Sequence, residues 1–403
     1  MSNARDFVLR IRNHSSIGLY CGRNEGMPPE PLETGLRKVL AELHPGLHYI
    51  SDSAHGVVSG EGPYQAMPLD FYFKQGSAEK LHSEMGMPNI PTMDSVRAMM
   101  TEPSLWPQGL SWGLHDFCLE GAQGGDSFRR TIDYAYGGAA NVEEWVSLAQ
   151  FVNYEGYRAM FEGQSKYRAG LLLWMSHPCW PSFVWQTYDY FLEPTAAYFG
   201  CKKACEPLHI QWNRVTEAIE IVNHCAGDVR ELTAMVEVFN MDGAKQWEKT
   251  APVDSSEDSA TACIQMSYPS GLTPVHFLRL RLTRGGQTVS TNFYLRGLRD
   301  QDFRAIRQLP KVQLKAETHT EQRAGHWMLK TELHNASNDP ALMVRLKAIR
   351  EKSGDRILPV LYSDNYVSLL PGQHQTISTE LHDSDTRGER PRIVVGGFNV
   401  AEQ

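Results

Sequence analysis

The period of the hydrophobic pattern changes once along the chain, near Pro207, and this change limits the fold more than any other feature. Before it, apolar residues recur at helical spacing between short apolar runs. After it they alternate at period two, the spacing of strands with one buried face. A chain patterned this way is multidomain, an α/β region followed by all-β domains.

In the first region, residues 16–21 (SIGLYC) form a short apolar run that ends in a Gly-Arg-Asn-Glu-Gly loop. A helix is predicted from about residue 31, with Leu32, Leu36, Val39, Leu40 and Leu43 on one face, stopped by Pro45-Gly46. Residues 48–52 (HYISD) read as the next strand, and residues 81–84 (LHSE) as the end of another. Thr92 stands where an N-cap would open a helix to about Met100. The clearest helix runs from 142 to about 163. Asn141 and Glu144 have capping-box spacing, and Val142, Trp145, Val146, Ala149, Phe151 and Val152 give a wide apolar face. Residues 169–175 (AGLLLWM) then read as a fully buried strand. Strand, helix, strand in this order is the rhythm of a parallel sheet.

Beyond Pro207, Ile219, Ile221 and Asn223 oppose Glu220 and Val222, and residues 235–239 and 276–282 alternate similarly. Asp242-Gly243 and Gly285-Gly286 supply turns between strands. Residues 297–310 read as a linker ending at Pro310. A further β-domain follows, with turns at Asn338-Asp339-Pro340, Ser353-Gly354 and Pro371-Gly372. Strands at this spacing, in about 90 residues per domain, suit immunoglobulin-like sandwiches. The expected domains are 1–206, 207–300 and 309–403.

Composition removes several function classes. A net charge of −8 argues against a nucleic-acid partner, which needs a basic surface. No apolar run approaches the ~20 residues of a membrane span, so no membrane insertion is expected. The opening MSNARDFVLRIRN has neither an apolar core nor a small-residue cleavage pattern and does not read as a signal peptide. The seven cysteines are odd in number and irregular in spacing, unlike a disulfide framework. Cys201 and Cys205 have no second pair at zinc-finger spacing, so no metal site is expected. P-loop and H-E-x-x-H motifs are absent. Residues 121–125 (GAQGG) read as a flexible loop, His115-Asp116 as a structural hydrogen bond, and Asn335-Ala336-Ser337 as a chance glycosylation sequon.

Two carboxylates stand out. Glu25 lies in Cys-Gly-Arg-Asn-Glu-Gly and Glu84 in His-Ser-Glu-Met-Gly, each at the end of a predicted strand. In a parallel α/β barrel such positions face the active site. Two carboxyl groups there can divide the acid and base roles of glycoside hydrolysis. A solvated surface carboxylate is the competing reading of each. Trp174, Trp180 and Trp185 offer indole faces on which sugars stack, although large aromatics also fill cores.

From residue 17 to about 213 the chain resembles glycoside hydrolase family 2, in the branch of exo-β-D-glucosaminidases and mannosylglycoprotein endo-β-mannosidases. Gly22-Arg23-Asn24-Glu25-Gly26 with Pro28-Pro29 resembles the family's acid/base loop after the fourth barrel strand. His82-Ser83-Glu84-Met85-Gly86 resembles its nucleophile strand, the seventh. Longer matches are NYEGYRAMFEG at 153–163, GLLLWMSHPCWPS at 170–182 and YDYFLEPTAAYFGCKKACEPLHIQWN at 188–213. The last domain, with Tyr362-Ser363-Asp364-Asn365-Tyr366 and Leu370-Pro371-Gly372, resembles the C-terminal immunoglobulin-like domain of exo-β-D-glucosaminidases.

The resemblance implies a retaining mechanism, with Glu25 as acid/base and Glu84 as nucleophile about 5–5.5 Å apart. It implies that Asn24 contacts the C2 substituent of the bound sugar, that Trp174 lies under that sugar and that Tyr64 orients the nucleophile. His82 and Trp180 fall at the pocket rim. No metal or organic cofactor is implied. The substrate would be an oligosaccharide or polysaccharide with β-linked glucosamine or mannose.

A complete (β/α)8 barrel takes about 250 residues, and here the fourth-strand motif is reached by residue 25. The expected architecture is therefore the C-terminal portion, about strands 4–8, of a TIM barrel followed by two sandwiches. An N-terminal half of the enzyme is then an expected partner, and the chain alone is expected to be weakly active or inactive and to self-associate. The competing function is a catalytically silent carbohydrate-binding or structural remnant.

Overall fold

The computed structural model describes residues 1–74, 80–120, 124–164 and 170–403. Its contacts divide the chain into two units. One comprises Met1–Tyr64, Gln75–Gly86 and Tyr167–Trp174, the other Gln65–Lys74, Met87–Lys166 and Met175–Gln403.

The first unit is built on parallel pairing. Helix α1 (Ser2–Ile11), strand β1 (Leu19–Cys21), helix α2 (Leu32–Leu43) and strand β2 (His48–Ile50) follow in order. β1 and β2 pair in parallel, Leu19 opposite His48 and Cys21 opposite Ile50, with α2 as the crossover that parallel pairing requires. Val8, Tyr20, Val39 and Leu40 form the core beneath them. The opening residues, which carry no strong sequence signal, are thus drawn into structure, and Arg5 grips both oxygens of Glu42 at 2.8 Å. Leu32, expected on the apolar face, is exposed because it lies in the first turn, beyond the core. Strands β3 (Val58–Ser59), β4 (Leu81–Met85) and β5 (Gly170–Leu173) form a second parallel sheet in that order. The expectation of a fully buried strand over 169–175 is corrected. Ala169 lies outside the described residues, Leu171 is buried and Leu172 is 54% exposed. β5 is the outer strand of its sheet and alternates between a covered and an open face.

The second unit begins with helices α3 (Phe71–Lys74), α4 (Met93–Met99), α5 (Glu102–Leu105), α6 (Leu110–Leu114), α7 (Gly125–Tyr136), α8 (Val142–Gln164) and α9 (Ala196–Ala204). The α8 cap forms as its spacing predicts. The Glu144 amide donates to Asn141 Oδ1 at 2.9 Å, and the Glu144 carboxylate accepts from the Ala140 amide at 2.7 Å. Thr92 does precede α4, but its hydroxyl donates to Glu193 instead of capping. Helices α8 and α9 pack so closely that a β-carbon at Gly200 would strike the Tyr154 carbonyl. Trp112 stacks on Phe183 at 4.6 Å beside Phe117 and Trp145, so these aromatics fill core.

Strands β6 (Leu208–Asn213), β7 (Ala218–Asn223), β8 (Val229–Asn240), β9 (Lys245–Ser255), β10 (Ser259–Gln265), β11 (Val275–Arg284) and β12 (Gln287–Gly297) form two sheets, ordered β10-β7-β6 and β12-β11-β8-β9. Ile210 and Ile221 from one sheet meet Val236 and Leu280 from the other in a shared core. The period-two reading of β7 needs correction, because all six of its residues are buried. Its polar face is covered as well. Glu220 accepts from Gln211 and Asn213, each at 3.0 Å, and Gln211 also donates to the Glu162 carbonyl on α8.

The segment read as a linker is anchored. Phe303 and Ile306 are buried around a 3-10 turn at Arg304–Gln308, and the Phe303 amide donates to the Ala135 carbonyl at 2.7 Å. Strands β13 (Lys315–Arg323), β14 (His326–His334), β15 (Ala341–Arg350), β16 (Leu361–Tyr362), β17 (Val367–Leu369), β18 (His374–His382) and β19 (Pro391–Gly396) form the last two sheets, ordered β13-β14-β18-β16 and β17-β15-β19. Leu329, Leu346, Ile377 and Val395 share their core. Asn335, in the sequon, is fully buried. Its amide donates to the carbonyls of Asp339 and Leu369, so it serves as a turn brace and not as a surface acceptor. Among the described residues no helix is long and apolar enough to cross a membrane.

Candidate active site

The two carboxylates singled out in the sequence meet within the first unit. β4 carries Glu84 near its C-terminal end, and the loop after β1 carries Glu25. One phenol joins them. Tyr64 Oη lies 3.1 Å from Glu25 Oε1 and 2.9 Å from Glu84 Oε2. The carboxylates differ in setting, since Glu84 is 8% exposed and Glu25 is open to solvent. Burial and the neighbouring Glu84 carboxylate push the Tyr64 phenol well above its ordinary range, so it stays protonated. A single phenolic proton cannot serve two ionised carboxylates at once. Both bonds are satisfied when one carboxyl is protonated and donates to Oη, while Oη donates to the other.

The backbone around the pair is held firmly. Glu25 has φ +43°, a left-handed conformation that disfavours a β-carbon and needs external support. That support comes from Ser53, whose Oγ accepts from the Glu25 amide at 3.0 Å and donates to Glu84 Oε1 at 3.2 Å. Ser53 is held in turn. Its amide donates to the Arg23 carbonyl, its carbonyl accepts from Ser83, and Asp52 beside it accepts from the amides of Ala54 and His55. The Ala54 amide leads in holding the Asp52 carboxyl below its usual range, followed by the His55 ring and amide. A β-carbon at Gly60 would come within 2.7 Å of the Ser53 carbonyl, so glycine permits the close approach of this strand end.

The Tyr64 loop is tied to β4. The Gly86 amide donates to the Pro63 carbonyl at 3.2 Å. His82 is 1% exposed and spans Ser59 Oγ at 3.0 Å and the Gly62 carbonyl at 2.8 Å. Burial lowers its pKa, which favours the neutral ring that donates to Gly62 and accepts from Ser59. The expectation of a rim position for His82 is therefore corrected. Its side chain lies on the inner face of a short strand, where both ring nitrogens hold the loop that carries Tyr64. Trp174 follows β5, its amide donates to the Met85 carbonyl at 3.0 Å, and its ring lies 4.3 Å from that of Tyr64 at a 42° tilt.

Glu25, Glu84, Tyr64 and Trp174 thus form one cluster, with Asn24 exposed on the same loop as Glu25. Trp180 belongs to the second unit and is half exposed. His115 and Asp116 do not bond to each other; His115 Nδ1 meets the Pro181 carbonyl. Sequence reasoning missed Ser53, although it directly follows the strand read over 48–52 and so occupies the same kind of strand-end position as Glu25 and Glu84. The G-x-S-x-G spacing of a nucleophile elbow does occur once, at Gly109-Leu110-Ser111-Trp112-Gly113. It lies on α6 with no strand before it and is no nucleophile elbow. Among the described residues no three His, Cys, Asp or Glu side chains are placed to hold a metal.

Residues 292–400 match the family model of the exo-beta-D-glucosaminidase Ig-fold domain. The exo-beta-D-glucosaminidase of Streptomyces avermitilis is 29% identical over 98% of this chain and 49% of its own length. The mannosylglycoprotein endo-beta-mannosidase of Lilium longiflorum is 26% identical over 99% of this chain and 53% of its own. The crystal structure of the Amycolatopsis orientalis exo-chitosanase superposes with a TM-score of 0.91 at 26% identity, covering all of this chain and 53% of that one. The chain spans about half the length of the curated relatives it matches. Over nearly its whole length, the chain resembles the C-terminal half of glycoside hydrolase family 2 enzymes of the exo-β-D-glucosaminidase and mannosylglycoprotein endo-β-mannosidase branch.

Proposed function

We propose that this chain carries the catalytic carboxylates of a retaining β-glycosidase acting on β-linked glucosamine or mannose residues of an oligosaccharide or polysaccharide. The observation that carries the reading is the single phenol between Glu25 and Glu84. Their bonded oxygens lie at most about 6 Å apart, which suits the roughly 5–5.5 Å separation of carboxyl groups in retaining enzymes. The bonding also suits the required protonation state, with Glu25 as the acid, Tyr64 donating to Glu84, and Glu84 ionised.

In the first step Glu84 attacks the anomeric carbon. The glycosidic bond breaks, and the Glu25 proton passes to the leaving oxygen. Glu84 is then an ester and Glu25 a carboxylate. In the second step Glu25 takes a proton from water, the hydroxide oxygen bonds to the anomeric carbon, and Glu84 leaves as carboxylate. Tyr64 and Ser53 each hold one Glu84 oxygen and orient the nucleophile. Trp174 offers a ring beneath the sugar, and Asn24 is placed on the acid loop to meet its C2 substituent. The names of the relatives support glucosamine and mannose as the candidate sugars.

In this reading β1 to β5 are strands four to eight of a (β/α)8 barrel, residues 1–206 are its C-terminal part, and 207–300 and 309–403 are the two sandwiches. An N-terminal half of such an enzyme is the proposed protein partner. A second reading, a silent remnant that keeps the fold without turnover, is favoured by the exposure of Glu25.

A panel of aryl β-glycosides, run with wild type and Glu84→Gln, separates the two. Turnover of the glucosaminide or mannoside that disappears in the variant supports the catalytic reading. Folded protein with no turnover, even after an N-terminal half from a relative is added, supports the remnant.

A further inference from the structure

One sheet of the last β-domain, ordered β13-β14-β18-β16, turns Leu329, Leu333 and Ile377 into the core and its alternate residues outward. Five of the chain's 15 histidines lie on that outward face, and the strand register decides which of them meet. His319 stands opposite Lys330, His326 opposite His382, and His334 opposite His374. The His334 and His374 rings stack, with centroids 3.9 Å apart and planes 8° from parallel. Their spacing is set by an antiparallel ladder that runs from the His326–His382 pair to the His334–His374 pair without a shift of register. The ladder is pinned just beyond them. The Asn335 amide donates to the Gln373 carbonyl at 3.0 Å, and the Gly372 amide donates to the Asn335 carbonyl at 2.8 Å.

The ring nitrogens of this pair are available to a ligand. His82, His209 and His276 each give both nitrogens to protein partners. Among the described residues, no hydrogen bond holds the ring of His334 or His374. Partial burial first, then the charges of His374 and Lys315, hold His334 below its usual range, so at neutral pH it is an uncharged base. Adjacent neutral imidazoles are ligands for d-block dications, whereas calcium and magnesium take oxygen. Metal–imidazole bonds of about 2.0–2.1 Å let two nitrogens on one ion stand up to about 4.2 Å apart, so the 3.9 Å ring spacing is within reach. Lys315, opposite His334, opposes a cation, while Glu317 and Glu332, paired in the next row of the same face, favour one. The other facing pair is less suited. Its planes cross at 46°, and His326 Nδ1 lies 3.1 Å from Glu380. We propose that His334 and His374 chelate a single divalent cation of the copper, nickel or zinc class, with water completing its coordination. The site is distinct from the carboxylate pair and does not depend on the chain being catalytic.

Calorimetric titration of the full chain with Ni²⁺ at neutral pH tests this, nickel being chosen because it does not oxidise the chain's thiols. One saturable event with one ion per chain is expected. His334→Asn and His374→Asn should each weaken it at least tenfold. The double variant should bind no more weakly than either single one, because a chelate is lost with its first ligand. His326→Asn, which breaks the other facing pair, should leave the event in place, and a tenfold excess of Mg²⁺ should not compete. Both histidines lie on the outward face of the sheet, so their replacement is expected to spare the fold, and unchanged urea midpoints without metal check this. The proposal is overturned if no saturable event occurs up to about 1 mM Ni²⁺, if either single variant binds like wild type, if the two losses add in the double variant, if His326→Asn abolishes the event, or if Mg²⁺ displaces the nickel. Failure of the glycoside panel leaves this result unaffected.

Discussion

The substitution Glu162→Gln tests how α8 is joined to the first β-domain. Glu162 is 2% exposed, and its Oε1 accepts from Tyr294 at 2.7 Å, Asn292 at 2.9 Å and His209 at 3.1 Å. His209 is fully buried between Glu162 and Glu206, and Arg158 lies alongside with Glu155 at 2.6 Å. Burial alone would lower the pKa of His209, but its bonds to the two glutamates outweigh that and raise it. Burial would likewise raise Glu162, and His209 and Arg158 together hold it below its usual range. Glutamine keeps the shape and one acceptor oxygen but removes the charge that His209 and Arg158 share. Removing one partner of a buried ion pair costs about 3–5 kcal/mol. Glu206 still faces His209 and Glu155 still holds Arg158, so the lower end, about 3 kcal/mol, is expected. The cost should depend on pH. A raised folded pKa for histidine contributes stability fully below its unfolded value near 6.5, and this is lost as pH rises through the folded value. Glu162→Gln reduces that contribution, so the difference from wild type is largest below pH 6.5 and shrinks above it. Urea unfolding followed by circular dichroism at pH 5.5 and pH 9 measures both. A difference below about 1 kcal/mol at pH 5.5, or one equal at the two pH values, would refute the argument.

Two further outcomes are expected. If the chain turns over aryl glycosides, Tyr64→Phe should lower kcat by about 10- to 150-fold, the worth of one hydrogen bond to a charged group at roughly 1.5–3 kcal/mol, with KM changed less than threefold; an unchanged kcat would deny Tyr64 its role. His276 is fully buried; burial first, then the charge of Arg296, push its pKa down to about 4, partly offset by its bond to the Thr273 carbonyl. A depressed histidine costs stability as pH falls below 6.5, because the unfolded chain takes up the proton first. His276→Gln should flatten the loss between pH 6.5 and 4, as seen in urea midpoints across that range.

Much of the outline was legible from local pattern. The change of period at Pro207, the Asn141–Glu144 cap and the glycine turns depend on backbone geometry and side-chain spacing that operate within a few residues, and the structure reproduces each of them. Glu25 and Glu84 were legible because one follows and the other lies near the C-terminal end of a strand, and parallel strands bring such ends to one side. Contacts between distant segments decided the rest. Six consecutive buried residues in β7, Glu220 among them, follow from α8 covering the face that alternation assigns to solvent. Leu172 is exposed because β5 is an outer strand, which its run of leucines does not encode. His82 reads as polar and turns inward because Ser59 and the Gly62 carbonyl give both ring nitrogens a partner. Ser53 carries no motif, and its place between Glu25 and Glu84 exists only once three strand ends converge. Period and capping are properties of a few neighbouring residues, whereas burial and hydrogen-bond satisfaction belong to pairs that the chain brings together only by folding.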